Sequence, residues 1–286
     1  MTDAVAIEQG MQRYKGFQLG PIDLNIRKGF ITAVIGRNGA GKTTLLKGMS
    51  NVTPFTSGEV VVESCSYEQD RVTFNKKICY VSDEVNMYSD FTVRQTIDFV
   101  SSFYSNWDVN LEQKLLREFN LMPKKKVYEL SKGMKLKLNM LLVLCFHPAV
   151  LIFDEPTAGL DLVARQELLL LLQQWIETGD KTVILSSHIT TDFEQIADFV
   201  VFVREGQIAL YDEKDRLKDN YLYFTTSLQM KLPRSGIYGY QKGAYEVTGI
   251  IDKEHGDELD GHCRPPTLDE ILYFVVEGGV NHAIFD

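Results

Sequence analysis

The sequence has little that would tie it to an oxidising compartment. Four cysteines (Cys65, Cys79, Cys145 and Cys263) are scattered through 286 residues without metal-ligand spacing. Such usage fits reduced thiols and not a disulfide framework. Positive charge is also short. Thirty Lys and Arg against 39 Asp and Glu leave a formal net charge of −9 and an isoelectric point near 5.2. That balance argues against a dedicated nucleic-acid binder, which needs a basic face, although "PKKK" at 123–126 is a local basic strip. The chain further lacks any apolar run near the roughly 20 residues of a membrane helix. Its longest, "MLLVLCF" and "AVLIF", are parted by His147-Pro148. No terminal segment reads as a signal peptide, and neither an internal repeat nor a low-complexity tract is visible. The expectation is a soluble, acidic, cytoplasmic protein with one substantial core and a smaller extension.

What is present alternates between strand and helix signals, the pattern of an α/β domain on a mostly parallel sheet. "FITAVIG" (30–36), "AVLIFD" (149–154) and "KTVILSS" (181–187) are short apolar runs bounded by turn chemistry, expected as buried strands. Between the first two, "TVRQTIDFVSSFY" (92–104) and "LEQKLLREFNL" (111–121) repeat apolar residues three and four apart, as amphipathic helices do. This predicts a helical subdomain over about 84–147. The first sixty or so residues are rich in β-like pieces, suggesting an antiparallel sheet beside the core. From residue 218 the character changes. "NYLYFTTSLQM" and "GAYEVTGIID" read as strands, and "TLDEILYFVVEG" as a short helix opened by a Thr267/Glu270 capping box.

Two segments carry chemistry. "GRNGAGKT", Gly36 to Thr43, matches G-x-x-x-x-G-K-[ST] between a strand and a helix. Its glycines allow a tight turn whose backbone N–H groups face phosphate oxygens, aided by the positive end of the following helix. Lys42 brings a point charge for the β and γ phosphates, and the Thr43 hydroxyl can ligate Mg²⁺. In "LIFDEPTAGLD" (151–161) an apolar strand ends on Asp154-Glu155. Asp154 is placed to hold Mg²⁺ through water, and Glu155 to act as general base on an attacking water. No Asn-Lys-x-Asp segment is visible, which disfavours a Ras-like GTPase.

Together these segments resemble the ATP-binding subunit of an ATP-binding cassette (ABC) transporter. "GRNGAGKTT" (Gly36, Arg37, Asn38, Gly39, Ala40, Gly41, Lys42, Thr43, Thr44) is similar to its Walker A, "LIFDEP" to its Walker B and "TAGLD" to its D-loop, with Asp161. "LSSHI" (185–189) resembles its switch segment and puts His188 at the γ-phosphate-sensing position. Tyr14 sits where the family places an aromatic on adenine; a lone Tyr near a strand is otherwise packing. "LSKGM" (130–134) lies where the family carries Leu-Ser-Gly-Gly-Gln, so Ser131, Lys132, Gly133 and Met134 form a variant signature. Lys132 replaces a glycine and Met134 the glutamine, while the donors Ser131 and Gly133 stay. At the Q-loop, alignment puts Asp83 where the family has Gln or Glu, with Glu84 next to it; either serves the metal shell.

The resemblance spans residues 1 to about 217. It implies a P-loop NTPase of the ABC ATPase fold: a RecA-like parallel-sheet core, a flanking antiparallel β subdomain and a helical subdomain. Residues 218–286 would add a small C-terminal α+β extension. It implies ATP and Mg²⁺ as cofactors, with Thr43, Asp83 and Asp154 around the metal, Glu155 as base and His188 orienting the water. Since a signature acts on the opposing subunit's ATP, it implies a homodimer or a heterodimer with a second ABC ATPase. A separate permease chain would hold the complex at the inner face of the cell membrane, its helices docking between Asp83 and about Leu121, where Tyr88 and Phe91 are contacts or internal packing. "LSKGM", "FYSNWD" and the "PPTLDEILYFVVEG" ending resemble bacterial exporter ATPases of the bacitracin and multidrug type, often encoded beside a GntR-type repressor. The alternative is a non-transport cassette, such as one of iron–sulfur assembly. His255, His262 and Cys263 could suggest metal, or be incidental loop residues.

Overall fold

The structure, a computed structural model, describes residues 2–82, 87–177, 179–187, 191–229, 232–233 and 235–278. The chain divides into two compact units: Met1–Ile31 with Thr43–Ser186, and Thr32–Lys42 with Ser187–Asp286.

The first unit opens with a four-stranded antiparallel sheet. β1 (Asp3–Tyr14) and β2 (Phe17–Arg27) form a hairpin, and β4 (Ser57–Val62) and the short β5 (Cys65–Ser66) complete the order β2-β1-β4-β5. In β2, Leu19, Ile22, Leu24 and Ile26 are buried while Asp23 and Asn25 are exposed, the alternation of a strand with one face on a core. α1 (Lys42–Met49) and α2 (Arg71–Lys77) lie on either side of β4 and β5 in the sequence, with β3 (Ile31–Ile35) ahead of α1. β6 (Ile78–Val81), β7 (Val150–Phe153) and β8 (Thr182–Ser187) then pair in parallel. Every residue of β7 and β8 is buried, as parallel strands covered on both faces must be.

Helices form at both segments where the apolar periodicity predicts them. α3 (Val93–Ser101) starts at a Thr92/Gln95 capping box, and α4 (Val109–Glu118) at Asp108, whose carboxylate accepts from the Leu111 N–H at 2.8 Å. α5 (Lys132–Leu144) follows a 3-10 turn at Val127–Glu129 and buries Leu138 and Met140 to Leu144. α6 (Leu162–Ile176) runs between β7 and β8 in the sequence. The Tyr88 ring lies 4.9 Å from Phe91 and 5.8 Å from Phe99, yet Tyr88 stays exposed. Internal packing and an open face therefore coexist there.

In the second unit β3 pairs in parallel with β9 (Phe199–Arg204), and β10 (Gln207–Glu213) returns antiparallel beside β9; the short α7 (Thr191–Glu194) precedes them. α8 (Lys214–Asn220) leads into an antiparallel sheet of β11 (Tyr221–Ser227), β12 (Ile237–Lys242), β13 (Glu246–Asp252) and β14 (Gly261–Arg264), in the order β12-β13-β11-β14. Phe224, Val247, Ile251 and Leu259 form its core. α9 (Leu268–Ile271) opens on the expected Thr267/Glu270 capping box and continues as a π turn over Leu272–Val276. β11 and β13 match the two expected strands. β12 and β14 were not anticipated: both are edge strands rich in polar residues and Gly, without the alternation that marks a half-buried strand.

The four cysteines are free, and burial pushes the Cys79 and Cys145 thiols up to about 12, far from reactive thiolates. Among the described residues, no helix is long and apolar enough to cross a membrane, and no group of three His, Cys, Asp or Glu gathers as a metal cluster.

Candidate functional site

The phosphate loop belongs to the second unit. It leaves the buried strand β3 and ends at Lys42, the first residue of α1. Gly39 and Gly41 take φ of +81° and +112°, the left-handed side that only glycine adopts without strain. Gly36 meets a second requirement: a Cβ there would lie 2.3 Å from the Val203 carbonyl of β9. Lys42 is 6% exposed and donates from Nζ to the carbonyls of Gly36 at 2.9 Å and Arg37 at 3.3 Å. The loop thus holds a buried ammonium at its centre. Arg37, Asn38, Gly39 and Thr43 are exposed, Thr44 is half-buried and Ala40 is buried.

The carboxylate pair belongs to the first unit. β7 ends at Phe153, and Asp154 follows it, 4% exposed, its N–H bound to the Val81 carbonyl of β6 at 2.9 Å. Ser186, on β8, donates to Asp154 Oδ1 at 2.6 Å, and the Tyr80 hydroxyl, on β6, donates to Oδ2 at 2.9 Å. Ser186 Oγ also accepts from the Glu155 N–H at 3.0 Å. Glu155 has φ +51°, uncommon for a residue with a side chain and a recurrent sign of a functional position. Neither Tyr80 nor Ser186 stands out in the sequence, because a hydroxyl on a neighbouring strand leaves no local pattern. Asp83, Glu84 and His188 lie outside the described residues.

The "LSKGM" segment starts α5. Ser131 is its N-cap, Oγ accepting from the Met134 N–H at 3.2 Å. Lys132 donates to the Ala158 carbonyl at 2.5 Å, which joins the start of α5 to the "TAGLD" segment within one chain. Asp161 caps α6 by accepting from the Ala164 N–H at 2.9 Å, and a Cβ on Gly133 would sit 3.5 Å from that of Ala164. Met134 is half-buried. Lys137, also on α5, pairs with Glu167 of α6 at 2.6 Å. Tyr14 ends β1 opposite Phe17 at the hairpin tip and is 48% exposed.

A strand, a glycine loop and a buried lysine, with a carboxylate pair ending a buried parallel strand, define a P-loop nucleoside triphosphatase. The ABC transporter family profile matches residues 19–158. The lantibiotic transport ATP-binding protein SrtF of Streptococcus pyogenes is 33% identical over 199 residues, 69% of this chain and 85% of that protein. The bacitracin transport ATP-binding protein BcrA of Bacillus licheniformis is 29% identical over 215 residues, 73% of this chain and 70% of that protein. A solved ATP-binding subunit of an ABC transporter superposes with a TM-score of 0.69 at 24% identity, covering 75% of this chain and 92% of that one. The chain belongs to the ABC transporter ATP-binding family. It is an ATP-binding subunit of an ABC transporter and hydrolyses ATP, and the resemblance to bacitracin-type ATPases holds.

Proposed function

We propose that this chain drives a separate membrane permease exporting a drug, peptide or small molecule, as one of two ATPase subunits with two ATP molecules between them. The observation that carries the site reading is the Asp154-Glu155 pair, held at the end of β7 by hydroxyls of β6 and β8. A drug or peptide as cargo is supported by the lantibiotic and bacitracin transport relatives.

In this reading the loop amides and Lys42 bind the β and γ phosphates, exchanging the loop carbonyls for phosphate oxygens. Tyr14 stacks on adenine. Mg²⁺ demands hard oxygen donors, and the chemistry of the set fits: the Thr43 hydroxyl, the Asp154 carboxylate and Asp83. When bound, the metal neutralises charge on the phosphates. Glu155 accepts a proton from water as the water oxygen bonds to the γ phosphorus and the bond to ADP breaks; His188 orients that water. Ser131, Lys132, Gly133 and Met134 of one subunit complete the site of the other, and Asp161 relays between them. Residues 1–217 form the ATPase domain and 218–286 an added extension.

The permease docks on the helical subdomain at the inner face of the membrane. A groove of about 320 Å³ there is lined by Tyr80, Tyr88, Phe99, Tyr104, Asn139 and Phe146, and the exposed Phe103 continues the aromatic row beside Phe99. No nucleic-acid partner is part of this reading. Tagged protein drawn from detergent extracts of its own cells should bring down a protein with several membrane spans. Recovery of no membrane protein would remove this permease-driving reading.

A further inference from the structure

Asp154 is held from both sides. β6 and β8 flank β7 in parallel register, with Tyr80 opposite Ile152 and Ile152 opposite Ile184. Two residues beyond that level, the carboxylate emerges between the two neighbours. Each neighbour supplies one hydroxyl, and each hydroxyl takes a different oxygen: Tyr80 takes Oδ2 at 2.9 Å and Ser186 takes Oδ1 at 2.6 Å. A carboxylate has about four lone-pair sites, so two hydrogen bonds orient it and still leave acceptor positions open. Ser186 does more. A hydroxyl is both donor and acceptor, and while it donates to Asp154 its oxygen accepts the N–H of Glu155 at 3.0 Å. That N–H belongs to the residue with φ +51°, a conformation that costs energy and persists only when the surroundings hold it. Ser186 is fully buried, on a strand with no exposed residue.

We infer that Tyr80 and Ser186 are positioning residues for hydrolysis: a two-hydroxyl clamp in which Tyr80 aims the Asp154 carboxylate and Ser186 additionally fixes the Glu155 backbone. The inference rests on the proposed roles of Asp154 and Glu155. The two hydroxyls have separable effects. Removing the Tyr80 hydroxyl frees Oδ2, and the carboxylate can turn about its terminal torsion, which has only a shallow preference of its own. The cost falls on metal–nucleotide binding, because groups that orient a ligating carboxylate set its affinity. Removing the Ser186 hydroxyl also releases the Glu155 peptide from its left-handed conformation. The general base then leaves its place, and the cost falls on turnover.

The test measures a fluorescent ATP analogue binding to the purified chain in magnesium and in EDTA, beside steady-state ATPase activity. Tyr80→Phe should raise the magnesium half-saturation about tenfold, with affinity in EDTA unchanged. Ser186→Ala should cut kcat by roughly ten- to a hundredfold and alter nucleotide affinity in EDTA little. Ser186→Thr, which keeps the hydroxyl, should restore most of that kcat. Equal losses with and without magnesium, or a Ser186→Thr chain as impaired as Ser186→Ala, would reduce the hydroxyls to packing and overturn the clamp. So would native magnesium dependence in Tyr80→Phe together with native kcat in Ser186→Ala. Asp154→Asn run in parallel separates the two levels. If it keeps the native magnesium response, the assignment of Asp154 fails; if it loses that response while the hydroxyl variants do not, only the clamp fails.

Discussion

Lys132 Nζ lies 2.5 Å from the Ala158 carbonyl, so the start of α5 is tied to the "TAGLD" segment of its own chain. A glycine at position 132 has no atoms that could make this bond. The bond is exposed, and an exposed charged donor on a carbonyl contributes about 1 kcal/mol. Lys132→Met, which keeps most of the stem, should lower ATPase activity about fivefold and leave ATP binding to the single chain unchanged. A parallel loss of binding would show that the lysine acts elsewhere.

Ser131 carries two duties that substitutions can part. It caps α5 through the Met134 N–H, and in the proposed dimer it donates to the partner's γ phosphate. Ser131→Ala loses both, including about 1 kcal/mol of helix stability. Ser131→Asp retains a capping oxygen but sets a negative charge against the phosphate. Its thermal midpoint should stay near the native value while hydrolysis disappears. Native turnover in that variant would remove Ser131 from the ATP site.

Glu155→Gln keeps the size of the side chain and its backbone bond to Ser186 but cannot take a proton. Hydrolysis should fall by at least about a hundredfold, and ATP should now hold two chains together long enough to elute as a dimer in size-exclusion chromatography. Undiminished hydrolysis would assign the base to another group.

In the C-terminal extension, Glu270 caps α9 and makes a two-pronged pair with Arg264, one bond being 2.9 Å. Burial alone would push the Glu270 carboxyl up, but the bond from Arg264 and those from Thr267 outweigh it and leave it lowered. The folded value therefore lies below that of the unfolded chain, about 4.3. The pair contributes fully above that pH and loses its contribution as the pH falls through the folded value. Glu270→Gln should lower the thermal midpoint at pH 7, and the gap to the native chain should close as the pH drops below about 4. A constant gap across that range would exclude the charge as its source.

The phosphate loop, the Asp154-Glu155 strand end and the capping box at Thr267/Glu270 were legible because each is local: spacing within a few residues sets the backbone and the chemistry together. The Thr92/Gln95 box was not read from the sequence, where 92–104 showed only the apolar spacing of a helix; whether both bonds of such a box form depends on side-chain rotamers. The edge strands β12 and β14 escaped notice because both are short and rich in polar residues and Gly, so neither shows an apolar alternation long enough to read.

By itself the sequence determined the family, the order of its motifs and the buried parallel strands, since apolar runs and glycine positions act through short-range sterics and burial. Only the tertiary structure decided what holds those motifs in place. Tyr80 meets Asp154 across 74 positions, Ser186 across 32, and Lys132 reaches Ala158 across 26. Strand register and helix packing set such meetings, and nothing near any one of these residues encodes its distant partner.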